Sequence, residues 1–100
     1  TIDNFLTKRK INKIDFLKID IEGNEFYFFK GAKLLLEKFK PVVIFEHNPK
    51  RLKELNINED YFKVFFKSYN VYELFNDGLQ EYFFDGKITS TDLVAIPKLN

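Results

Sequence analysis

Six polar residues in two short clusters mark where this sequence can do chemistry. Asp20, Glu22 and Glu25 fall within six consecutive positions, and Glu46, His47 and Asn48 are adjacent. Each cluster closes an apolar run of strand length. If the two runs are neighbouring parallel strands, their ends lie about 5 Å apart and all six residues share one rim. Ligands of open α/β sheets bind at such carboxyl ends.

Three chemistries fit that rim. A carboxylate (Asp20, Glu22 or Glu46) or the His47 imidazole can act as general base on a substrate hydroxyl, because crowded like charges raise carboxylate pKa values. Oxygen ligands from Asp20, Glu46 and Asn48 suit Mg²⁺, although no recognised metal motif is present. The acids can instead bind a hydroxyl-bearing ligand through hydrogen bonds, with Glu25 and Asn48 as substrate contacts. A structural use stands beside these: Asp20 and Glu22 capping the next helix, and Glu46 neutralising Lys18. A lone histidine after a strand is more often structural than catalytic, so His47 ranks below Asp20.

The elements that must position these residues follow from periodicity. Thr1 is an N-cap for a short helix, with Asp3 near its positive end. Residues 14–21 read as a strand with apolar residues on both faces, suited to a sheet covered on both sides. A helix is expected over 25–39, with Phe28, Phe29, Ala32, Leu35, Leu36 and Phe39 on one face. Gly31 interrupts it, marking a break or a close approach to the sheet. Residues 41–46 form a second strand, opened by Pro41 and stopped by His47-Asn48-Pro49. A helix over 61–67 is expected to turn Tyr61, Val64 and Phe65 inward, with Phe66 as a further candidate. Strand 71–75, the turn Asn76-Asp77-Gly78, a ribbon over 79–84 and strand 92–96 complete the chain. Alternating strands and helices predict a mostly parallel α/β sheet, ending in an antiparallel strand pair.

Composition narrows the function classes. With 45% hydrophobic residues and 13 Phe, the chain of 100 residues can bury the core of one small domain. Sixteen Lys and Arg against fifteen Asp and Glu give no reason to invoke nucleic acid or an anionic membrane as partner. Cysteine is absent, which excludes a disulfide framework or a thiol nucleophile. No apolar run approaches a membrane span and none opens the chain, so a cytoplasmic location is expected. The 18 aromatic residues suit packing better than base stacking. No dinucleotide, P-loop, nucleophile-elbow or zinc-helix motif occurs.

One segment carries a resemblance. Ile14 to Gly23, ending Lys18-Ile19-Asp20-Ile21-Glu22-Gly23, then Glu25 and Lys30-Gly31-Ala32, resembles the signature of FkbM-type methyltransferases. Phe29 stands where the family usually has Leu. The opening Thr1-Ile2-Asp3-Asn4-Phe5-Leu6, the strand ending Phe45-Glu46 and the last strands are also similar to the family pattern.

The resemblance implies a Rossmann-like methyltransferase fold using S-adenosylmethionine, acting on a hydroxyl of a sugar, lipid or secondary metabolite. These residues would be its C-terminal half, with Asp20 near the transferred methyl group and contributing to the cofactor site. The strands that mainly build that site, with their glycine-rich turn, have no counterpart in the chain, which also holds no Met. The expectation is therefore a portion of a longer enzyme, inactive or self-associating when isolated. The alternative is a non-catalytic half-domain that joins another chain through its open sheet edge.

Overall fold

The computed structural model describes residues 1–9, 11, 13–21, 23–87 and 92–99. Helix α1 (Ile2–Arg9) starts at its expected cap, where Thr1 Oγ1 accepts the Asn4 N–H at 3.2 Å. Asp3 has a longer reach than its place in α1 suggests. Its two carboxylate oxygens accept the N–H groups of Leu34 and Leu35, at 2.8 and 2.9 Å. It thereby supplies partners to donors that a helix start leaves unpaired.

The single helix expected over 25–39 is divided. Helix α2 (Glu25–Lys30) stops at Gly31, and the chain resumes as a π-helical turn over Leu35–Phe39. Gly31 is both the break and a close approach, made against α1 rather than the sheet. A Cβ there would sit 3.2 Å from the Thr1 side chain, and the Asp3 N–H donates to the Gly31 carbonyl at 3.3 Å. Lys40, left-handed at φ 46°, then turns the chain into Pro41.

Strands β1 (Phe16–Ile19) and β2 (Val42–Glu46) are joined in parallel, with Ile19 beside Phe45. Where a loop was expected after β2, helix α3 (Pro49–Glu54) forms. Asn48 Oδ1 accepts the Arg51 N–H at 3.1 Å, and Pro49 takes the first turn. Helix α4 (Asp60–Phe65) follows. It buries Phe62, with Phe66 just beyond, while Tyr61 and Val64 remain 54% and 63% exposed. Phe66 is thus inward as expected, while Phe62 takes the place expected of Tyr61 and Val64. β3 (Tyr69–Phe75) and β4 (Gly78–Glu81) make a hairpin through Asn76-Asp77, and β5 (Asp92–Pro97) ends the sheet.

The sheet order is β1-β2-β5-β3-β4, which overturns the expected mostly parallel sheet. Only β1 and β2 pair in parallel; β2–β5, β5–β3 and β3–β4 are antiparallel. The cause is the place of β5. It returns along the sheet and inserts between β2 and β3, which point the same way, so both of its contacts run antiparallel. The tight hairpin adds the third.

The core is one-sided. Ile19, Val43, Phe45, Tyr69, Val71, Leu93 and Ala95 share a sheet face, and they cluster with Leu6, Phe29, Leu35, Leu52 and Phe62 from the helices. Phe29 is fully buried at the centre, its ring 4.9 Å from Phe45 and 5.0 Å from Phe66. The opposite face carries Phe16 and Ile96 exposed, Val42 and Ile44 half-buried and Val94 buried apart from the core cluster, so the two-sided cover expected for the first strand is not what these residues form. Among the described residues, no helix is long and apolar enough to cross a membrane.

Candidate active-site rim

The parallel β1–β2 pair sets the two polar clusters side by side. Asp20 and Glu46 each follow the registered pair Ile19 and Phe45, so they occupy corresponding places at the carboxyl edge. Asp20 is exposed and Glu46 half-buried. The row continues across β5, where Asp92 is the register partner of Glu46. Asp92 had no place in the sequence reading, because nothing local says which strand adjoins β2. Glu22 lies outside the described residues.

Glu25 belongs to the loop rather than to open solvent. It is 4% exposed, and its oxygens accept the Ile21 N–H at 3.1 Å and the Gly23 N–H at 2.9 Å. A carboxylate taking two backbone donors folds the strand end over the start of α2. Gly23 makes that turn possible with φ +90°, a conformation that penalises residues bearing a Cβ. Arg51 from α3 closes over it, its Cγ 3.1 Å from where a Gly23 Cβ would stand.

His47 lies beneath the rim. It is 1% exposed, with ring centroids of Phe62, Phe84, Tyr82 and Phe45 between 4.6 and 6.1 Å away. Its Nε2 stands 2.5 Å from Glu59 Oε2, and the Tyr82 hydroxyl donates to the same oxygen at 2.8 Å. The Gly86 N–H donates in turn to the Tyr82 hydroxyl at 3.2 Å. Burial pushes the Glu59 carboxyl up, but the hydrogen bonds from His47 and Tyr82, with the attraction of His47, outweigh it and leave the pKa below 4.5. The ionised oxygen can only accept, so His47 Nε2 carries the proton of that bond. Burial, followed by the bond to Glu59, raises the Tyr82 phenol above its ordinary range.

Glu59 and Tyr82 were not singled out in the sequence. The usable signal was His47 itself, since a buried imidazole requires a partner. Its identity was hidden in distant segments.

Asn48 lies on the rim with its Oδ1 committed to the α3 cap. Glu25, Glu46, His47 and Asn48 together line a crevice of about 10 Å³, room for about one water. Among the described residues, no group of three or more His, Cys, Asp or Glu side chains is placed to hold a metal ion. The carboxylates along the rim are therefore the exposed Asp20, the half-buried Glu46 and the exposed Asp92, on three adjacent strands.

Comparison with known families gives one result that bears on this rim. The family described as methyltransferase FkbM domain matches residues 1–80, which takes in β1, both polar clusters and the β3–β4 turn. No curated protein and no solved structure matches the chain.

Proposed function

The chain belongs to the FkbM methyltransferase family, a family of S-adenosylmethionine-dependent enzymes, and from that premise we propose that its rim receives the methyl acceptor. The acceptor is a hydroxyl of a sugar, lipid or secondary metabolite. The observation that supports this reading is the exposed Asp20 at the carboxyl end of β1, beside Glu46 on its parallel neighbour. Asp20 accepts a hydrogen bond from the acceptor hydroxyl, orients it and takes its proton. Glu46 holds a second hydroxyl of the acceptor, and Glu22 shares the acid–base role in the sequence-based assignment. His47 and Glu25 act at one remove, the first through Glu59 and the second by fixing the loop.

At the rim, the described residues do not make a cradle for the cofactor. The rim crevice has room for about one water, against the several hundred Å³ of a typical cofactor site. Glu25 and Asn48 there are spent on backbone N–H groups, and His47 on Glu59. We therefore place the chain within a longer enzyme whose other residues hold S-adenosylmethionine. The test is a radiolabelled methyl-transfer assay on the enzyme that contains these residues, with Asp20→Asn as variant. Turnover should fall about 100-fold or more with cofactor affinity within about twofold. Equal loss of both would reduce Asp20 to a binding role.

A second reading rests on β1 lying at the edge of the sheet, with Phe16 55% exposed. The chain would then join another chain through that edge, as a half-domain without catalysis. Size-exclusion chromatography with light scattering separates the two, since a chain that stays monomeric contradicts the half-domain, which requires a stable oligomer.

A further inference from the structure

The helical layer holds a cavity unconnected with the rim chemistry. Its volume is about 530 Å³, and it lies between α2, the π-helical turn and α4. That size falls within the range of small-molecule sites. Its walls are apolar: Phe26 and Leu36 are buried, Ile57 and Phe65 half-buried, and Tyr61 and Val64 stand exposed at the mouth. Phe26 alone also borders the rim crevice. The exposed face of α4, which periodicity had turned inward, is therefore a wall of this cavity.

Charge at the mouth has one dominant sign. Lys30, Lys33 and Lys67 are set around it against a single acid, Glu37, whose Oε1 lies 3.9 Å from Lys67 Nζ. Among the described residues, neither Lys30 nor Lys33 forms an ion pair. A second copy of this chain docked by the same face would bring lysines against lysines. An apolar hollow under a lysine rim suits the opposite arrangement, an apolar body with one anionic end.

We propose that this cavity binds a small amphiphilic anion, its apolar body against Phe26, Leu36 and Ile57 and its charged end among Lys30, Lys33 and Lys67. The site stands apart from the methyl-transfer rim, so its test reads binding and not turnover. Submicellar decanoate is the probe, followed by calorimetry and by amide shifts in ¹H–¹⁵N spectra. Saturable binding at one site is expected, with shifts gathered at 26–37, 56–57 and 61–67. Removing the charges together, by Lys30→Gln, Lys33→Gln and Lys67→Gln, should weaken it about fivefold or more. Val64→Glu, at an exposed position that should leave the fold intact, should weaken it by about the same factor through repulsion at the mouth. Decanol should bind about fivefold more weakly than decanoate. The proposal is overturned if decanoate does not saturate, if its shifts fall elsewhere, if decanol binds as well, or if Val64→Glu leaves its affinity unchanged.

Discussion

His47 and Glu59 meet at 2.5 Å in the core, between the end of β2 and the start of α4, with the Tyr82 hydroxyl 2.8 Å from the same carboxylate oxygen. The rim stands on this contact. It ties β2 to the helix layer and to the segment after β4, and it holds His47, a candidate base by its place at the strand end, in the core.

Removing the carboxylate should therefore cost stability. Glu59→Ala leaves a buried imidazole N–H and a buried phenol without their acceptor. The expected loss is about 1–3 kcal/mol, read from urea denaturation at pH 7. A loss below about 0.5 kcal/mol, the size of an ordinary surface substitution, would show that the network does not hold the fold.

The same pair predicts an acid limb. Glu59 has its pKa depressed below 4.5, so its contribution is complete above that value and is lost as pH falls through the lowered one. The stability difference between wild type and Glu59→Gln should shrink as pH falls below 4.5. A difference that grows on acidification would reverse the assigned sign.

An alkaline limb comes from Tyr69. Its hydroxyl donates to the Pro41 carbonyl at 2.8 Å, and burial raises its pKa from 10.0 to about 12. The unfolded chain ionises first, so this stability is intact below pH 10 and disappears as pH rises toward 12. Tyr69→Phe should cost about 1 kcal/mol at pH 7 and flatten the decline above pH 10, as thermal melts at both pH values would show.

At Gly23 two penalties can be separated. Gly23→Ala meets both the φ of +90° and the Arg51 Cγ at 3.1 Å, and should destabilise by about 1–2 kcal/mol. Adding Arg51→Ala relieves the contact but not the backbone strain. A double-mutant cycle should show partial recovery, and full recovery would mean that the backbone conformation costs nothing.

Core packing gives the largest effect. Phe29→Ala removes a fully buried ring in contact with Phe45 and Phe66, and should cost about 3–5 kcal/mol. Val64→Ala, on the exposed wall of α4, should stay within about 0.5 kcal/mol. Equal costs would put the face of α4 where periodicity had it.

What the sequence determined by itself was local, or was carried by a contiguous signature. The Thr1 cap, the strand over 42–46, the Asn76-Asp77 turn and the break at Gly31 each depend on a few neighbouring residues, whose conformational preferences act at short range. The family was legible for the same reason, since the residues from Ile14 to Gly23 and on to Ala32 lie close together in the chain. The Asn48-Pro49 start of α3 was also written locally and went unread.

Only the tertiary structure decided the rest. Sheet order is a choice among long-range pairings, and no local signal says that β5 enters between β2 and β3. That one insertion made the sheet mostly antiparallel and brought Asp92 beside Glu46. On α4, periodicity turned Tyr61 and Val64 inward, whereas the rings of Phe29 and Phe45 selected Phe62 beside Phe66. His47 moved from rim to core because its partners, Glu59 and Tyr82, arrive from other elements. A side chain's type limits the chemistry it can perform, but its role follows from what the fold packs against it.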